Sequence, residues 1–171
     1  MIRQLVGSDF CLDRCRCCCR FSEPDSIWSP CLLDEEAGGF FRDGSLVTPQ
    51  KKLRLSEFPE GSQDKLPAHI GPSFICPFLE LSDNSCRIYA SRPFECQLYP
   101  FLINRRQDKT FLSVDPGCLY VKENFESEEF GGYCRYLEEL LSRADYKDTL
   151  RRNPQIIQSY SDARDILELK I

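Results

Sequence analysis

In the last third of the chain the hydrophobic positions fall at helical spacing. Tyr133, Tyr136, Leu137, Leu140 and Leu141 recur at intervals of three and four, which predicts an amphipathic helix over 123–141. A second helical piece is expected over 145–152, broken at Pro154, and a last short helix over 162–169. Further upstream the pattern changes. Leu98–Ile103 and Thr110–Val114 are apolar-rich runs separated by Arg105, Arg106, Gln107, Asp108 and Lys109, which predicts a hairpin. Phe74–Leu79 reads as a short buried strand, Ser82–Ser85 as a turn and Cys86–Tyr89 as the returning strand. Pro93 suits the first turn of a helix that Pro100 keeps short.

The first half has weaker periodicity. Leu5 and Val6 suggest a strand in the lead-in. Pro24 and Pro30 exclude a long helix between 20 and 30. One or two helical turns are expected over Cys31–Ala37, stopped by Gly38 and Gly39. Gly44, Gly61, Gly71, Pro49, Pro59, Pro67 and Pro72 predict loops over 40–72, with a strand at Lys51–Leu55. No repeat or low-complexity segment is present. The expected fold class is α+β: short strands in an irregular cysteine-rich domain over residues 1–120, and a helical tail over 121–171 packed on the same domain.

Composition narrows the function classes. The 171 residues are 42% hydrophobic and 29% charged, an ordinary globular balance. A net charge of −5 gives no electrostatic reason to bind nucleic acid or an anionic membrane. No apolar run reaches the roughly 18 residues of a membrane span. The first ten residues lack the apolar core of a secretion signal. The expected location is therefore the reducing cytoplasm, where structural disulfides are rare.

The eleven cysteines carry the chemistry, and an odd number cannot all pair within one chain. Cys11, Cys15, Cys17, Cys18 and Cys19 place five thiols within nine residues, and Cys76, Cys86, Cys96 and Cys118 follow downstream. Metal binding is the favoured reading over a disulfide framework. Successive side chains such as Cys18 and Cys19 point in different directions, so the vicinal pair suits two centres better than one. Arg14, Arg16, Arg20, Arg87 and Arg92 lie within a few residues of these cysteines. They could offset the negative charge of a thiolate site.

The blocks Cys11-x3-Cys15-x2-Cys18-Cys19, Cys76-Pro-Phe-Leu, Cys86-Arg-Ile-Tyr, Arg92-Pro-x-x-Cys96 and Tyr99-Pro-Phe101 resemble the YkgJ-type cysteine-cluster family, described as zinc- or iron-chelating. The resemblance covers roughly residues 9–118. It implies metal ligands at Cys11, Cys15, Cys18, Cys19, Cys76, Cys86, Cys96 and Cys118. Arg16 and Cys17 replace the family's usual glycine. Flagellin lysine-N-methylases carry a related cluster, but this chain is short for such an enzyme with its substrate platform. Cys17, Cys31 and Cys134 fall outside the implied ligand set.

Two competing chemistries are weaker. Cys11-x3-Cys15-x2-Cys18 also matches the radical S-adenosylmethionine spacing, but Cys17 replaces the usual aromatic and no βαβ alternation supplies the barrel. His69 is the single histidine and is expected in a surface loop, which excludes two-histidine metal sites. Phe74, Phe78, Tyr89, Phe94, Tyr99 and Phe101 are expected to pack as core around the cluster. The expected cofactor is an iron–sulfur cluster, of the [4Fe–4S] type among the choices, with zinc as the alternative. The first implies redox or enzyme-associated chemistry, the second a structural or interaction module. The sequence does not decide between enzyme and non-enzyme.

Overall fold

The computed structural model describes residues 2–15, 18–39, 45–59 and 74–171, excepting the side chain of Cys15. It is an α+β protein with small antiparallel sheets. The chain forms two compact units: Gly7–Phe94, and Met1–Val6 together with Glu95–Ile171. No described helix is long and apolar enough to cross a membrane.

In the first unit, a short helix α1 (Ser8–Phe10) runs into a π-helical turn at Cys11–Cys15. Strands β1 (Arg20–Phe21), β2 (Ser56–Glu57) and β3 (Phe74–Ile75) form a sheet in the order β1-β3-β2. Arg20 pairs Ile75 and Phe21 pairs Phe74. Each strand has only two residues, so most of the cohesion comes from side chains. Leu32, Leu53, Ile75, Cys76 and Leu79 form the buried cluster, and Cys19, Phe21, Val47 and Ile88 pack against it.

The strand expected over Lys51–Leu55 is reduced to single bridges, Cys31 to Lys52 and Val47 to Leu53. Lys51 has a φ of 58°, a left-handed conformation that breaks an extended run. The expected returning strand at Cys86–Tyr89 is likewise one bridge, Leu79 to Cys86, followed by a 3-10 turn at Tyr89–Ser91. Helix α2 (Asp34–Gly38) stops at Gly39, where a Cβ would lie 2.9 Å from the Glu35 carbonyl oxygen. Glu36 accepts the amide of Leu33 at 2.8 Å and that of Phe94 at 2.7 Å. Burial pushes the Glu36 carboxyl above its ordinary value despite those two bonds. Of the loops expected over 40–72, the parts at 40–44 and 60–72 lie outside the described residues.

The unit boundary falls within helix α3 (Phe94–Leu98). The second unit contains the expected hairpin: β4 (Phe101–Arg106) and β5 (Lys109–Val114) pair in full register around Gln107 and Asp108. Helices α4 (Leu119–Asn124), α5 (Glu128–Ser142) and α6 (Ala144–Arg152) follow. Ser127 caps α5 by accepting the Phe130 amide at 3.1 Å, and Glu128 and Glu129 complement the positive end of the helix dipole. The α5 stripe of Phe130, Tyr133, Cys134, Leu137 and Leu141 is buried, with Phe130 and Tyr133 rings 5.4 and 5.5 Å from Phe101.

Two expectations are overturned here. Residues 162–169 do not form a helix. Arg164–Leu169 is strand β6, antiparallel to β5, with a register shift at Leu112/Ser113. Pairing with β5 outweighs the helix preference of its Leu and Glu residues. The tail is thus α-helical as far as Arg152, makes a 3-10 turn at Pro154–Ile156 and then contributes a strand. Leu5 and Val6 form no strand either. The lead-in is held by side chains: Arg3 donates its amide to the Tyr136 hydroxyl at 3.1 Å, Tyr133 donates to the Arg3 carbonyl, and the Arg3 guanidinium lies 4.6 Å from the Tyr136 ring centre.

Candidate metal centre

The first unit brings two of the expected ligands, Cys19 and Cys76, into contact, with a third, Cys86, in their neighbourhood. Cys19 precedes β1 and Cys76 follows β3, so the β1–β3 register places them across from each other. The Cys76 amide donates to the Cys19 carbonyl at 2.9 Å, and the two thiols share a hydrogen bond. Cys86 reaches the same neighbourhood through its bridge to Leu79, three residues beyond Cys76. Its thiol is close enough for a charged Cys19 to act on it.

The local backbone is unusual. Cys19 has a φ of 67°, a conformation that costs a side-chain-bearing residue about 1–2 kcal/mol. Strain of this kind tends to collect at functional positions. The π-helical turn at Cys11–Cys15 is a second such feature.

Electrostatics couple the group. The hydrogen bond with Cys76, then burial, then the charge of Cys76 push the Cys19 thiol well above its ordinary value; Arg20 and Arg92 pull the other way. Burial raises Cys86, with Cys19 adding to it and Arg92 and Arg87 opposing. Of the arginines singled out by sequence, Arg20 and Arg92 thus lie near Cys19, and Arg87 and Arg92 near Cys86. Arg14 stacks on the Phe10 ring at 4.9 Å. Arg92 also lies over the ring of Tyr89, 3.8 Å from its centre.

The remaining candidates are distributed as follows. Cys11 lies on the π-helical turn and Cys18 in the turn before β1, both half-buried. Cys96 belongs to α3, and Cys118 precedes α4 and is buried; both fall in the second unit. The Cys15 side chain, Arg16, Cys17 and His69 lie outside the described residues. Cys11, Cys18, Cys19, Cys31, Cys76, Cys86, Cys96, Cys118 and Cys134 are thiols rather than disulfides. Among the described residues, no three Cys, His, Asp or Glu side chains converge closely enough to hold one ion. Cys31 and Cys134 are buried, the latter in the α5 core stripe.

Of the aromatics expected in the core, Phe94 and Phe101 are buried, while Phe74, Phe78 and Tyr99 are half-buried. Tyr89 is 42% exposed, because the 3-10 turn carries it outward. Sequence reasoning missed the left-handed Cys19, for which the residue type gives no signal. It also missed Glu36, whose two amide contacts join residues far apart in the chain. Compared with known proteins, the chain matches no family model, no curated protein and no solved structure.

Proposed function

We propose that this chain is a cysteine-ligated metalloprotein of the reducing cytoplasm, with an iron–sulfur centre as the first assignment. The observation that carries the reading is the coupled thiol group Cys19, Cys76 and Cys86, with Arg20 and Arg92 acting on Cys19. One buried and two half-buried thiols beside guanidinium groups are a donor set that suits a thiophilic ion. The resemblance of the cysteine blocks to the YkgJ-type family supports the same chemistry. It adds Cys11, Cys15 and Cys18 as ligands in this unit, and Cys96 and Cys118 as candidates in the other.

The chain's own residues would act in definite ways. Cys19, Cys76 and Cys86 must release their protons to become ligands, so loading is coupled to proton release. Arg20 and Arg92 would offset the negative charge that the thiolates then hold. Leu32, Leu53, Ile75 and Leu79 would keep water from the sulfurs, which for an iron–sulfur centre tunes the potential. An iron–sulfur cluster would supply electron transfer or substrate activation.

A second reading assigns zinc with a structural role. The two-residue strands of the first unit favour it, since so little ladder hydrogen bonding leaves room for a metal to build the fold. Anaerobic purification followed by iron, acid-labile sulfide and zinc analysis separates the two. A brown protein with iron and sulfide supports the first reading. A colourless protein with stoichiometric zinc supports the second, and a metal-free preparation under the same conditions overturns both.

A further inference from the structure

The first unit sets two thiols against each other in the arrangement that a disulfide needs. The β1–β3 register pairs Arg20 with Ile75, so Cys19 lies opposite Cys76 one step further along the same ladder. The Cys76 amide donates to the Cys19 carbonyl at 2.9 Å, and the two thiols share a hydrogen bond. Directly opposed residues of an antiparallel pair have Cα atoms roughly 4.5–5.5 Å apart. A disulfide spans roughly 4.4–6.8 Å between Cα atoms and needs the two side chains aimed at each other. The ladder meets the first condition and the thiol contact meets the second.

The two sulfurs differ in access. Cys76 is buried in the cluster of Leu32, Leu53, Ile75 and Leu79, whereas Cys19 is half-buried and packs against that cluster from outside. A small molecule arriving from solvent meets Cys19 first, with Cys76 behind it as the resolving thiol. Cys86 is placed differently. It senses the charge of Cys19, but its thiol bonds to the backbone of Ile88.

We infer that Cys19 and Cys76 form a reversible disulfide, with a small disulfide of the glutathione class as the oxidant. The Cys19 thiolate attacks one sulfur of glutathione disulfide and displaces a first glutathione. The Cys76 thiolate then attacks Cys19 Sγ, closing the S–S bond and releasing the second glutathione. The chain gives up two protons and two electrons, and the two glutathione sulfurs take them up. Because Cys19 is only half-buried, reduced glutathione reaches the bond to reverse it. In a reducing compartment such a bond acts as a sensor rather than as a structural staple. Two sulfurs joined in this way no longer ligate, so oxidation and metal loading exclude each other. That consequence, unlike the bond itself, rests on the metalloprotein reading above.

The test equilibrates the full chain, as purified, with mixtures of oxidised and reduced glutathione. Free thiols are then alkylated, the disulfides reduced, and the newly freed thiols alkylated with a second reagent of different mass. Peptide fragmentation should place the second label on Cys19 and Cys76, and excess reduced glutathione should abolish it at both. Cys76→Ser should arrest the reaction as a glutathione adduct on Cys19. Metal bound at the start should leave as the disulfide forms. A second label on Cys19 with Cys17, Cys18 or Cys86 instead, or none under excess glutathione disulfide, would overturn the pairing whatever the metal content. Formation of the Cys19–Cys76 bond in a chain that anaerobic purification yields without metal would uphold the pairing and sink only the metalloprotein reading.

Discussion

Cys19 and Cys76 are 57 positions apart, yet one backbone hydrogen bond of 2.9 Å and one thiol contact join them. The β1–β3 register produces that meeting: Arg20 opposite Ile75 puts the residue before one strand across from the residue after the other. The same pairing carries Cys76 into the buried cluster beside Leu32 and Leu53. The thiols therefore sit at the edge of an apolar core, where a soft metal would be shielded and an isolated thiolate would be disfavoured.

The first prediction separates ligands from packing residues. Cys76→Ser replaces a thiolate with a hard, weak ligand in a closed environment, and metal content should fall sharply. Cys134→Ala removes a small buried side chain from α5. It should leave metal content unchanged and cost about 1–2 kcal/mol of stability. Arg92→Gln should weaken metal affinity by roughly ten- to hundredfold through loss of charge compensation. Metal analysis of purified variants reads all three. Equal loss of metal in Cys76→Ser and Cys134→Ala would mean that unfolding, not ligation, governs the content.

Chelation under reducing conditions should act unequally on the two units. The first has only two-residue strands, whereas the second has six-residue strands and the buried α5 stripe. Structural metal sites contribute on the order of 10 kcal/mol in small domains. Hydrogen exchange on the full chain should show lost protection at Arg20, Ile75 and Cys76 after chelation, with β4 and β5 amides preserved. Uniform loss across both units would show that the metal does more than stabilise the first.

Some of this was legible in the sequence and some was not, for physical reasons. The β4–β5 hairpin was legible because its signals are local: two apolar runs flanking a polar turn. The α5 stripe was legible because Tyr133, Leu137 and Leu141 repeat at helical spacing. Strand β6 was not, since Leu167, Glu168 and Leu169 are good helix formers and only the distant partner β5 makes them a strand. The cysteine blocks marked the candidate ligands by density alone. Their grouping depended on pairing across more than fifty residues, which spacing does not encode.

Asp165 joins β6 to the hairpin. It accepts from Arg106 at 2.5 Å, from Ser113 at 2.6 Å and from Asn104 at 3.2 Å, and Asn104 and Ser113 are fully buried. Burial raises this carboxyl, but the three hydrogen bonds and the Arg106 charge outweigh it and hold the group below its ordinary 3.8. Its stabilising contribution is thus complete above 3.8 and is lost as pH falls through the lower folded value. Asp165→Ala should cost about 2–3 kcal/mol at neutral pH by leaving buried donors unsatisfied. Asp165→Asn should remove the part of the acid sensitivity that lies below 3.8. Denaturant titrations from neutral to acid pH check both; an unchanged acid limb in Asp165→Asn would assign that sensitivity to other carboxylates.

Tyr133 provides the opposite pH dependence. Its hydroxyl donates to the Arg3 carbonyl, and its ring packs on Phe101 from the buried face of α5. Burial pushes this phenol from 10 up to about 12, the neighbouring Tyr136 adding to the effect and Arg3 opposing it. A folded value above the unfolded one means that the contribution is full below 10 and is lost as pH rises from 10 toward 12. Tyr133→Phe keeps the ring and removes the titrating group. The variant should be about 1 kcal/mol less stable at neutral pH, because the Arg3 carbonyl loses its partner. The stability gap should narrow as pH climbs above 10. Chemical denaturation across alkaline pH, with exchange of the amides at 2–6 as a local readout, distinguishes the two effects. If the gap instead widens with pH, the tyrosinate is stabilised in the folded state, and Arg3 rather than burial dominates its surroundings.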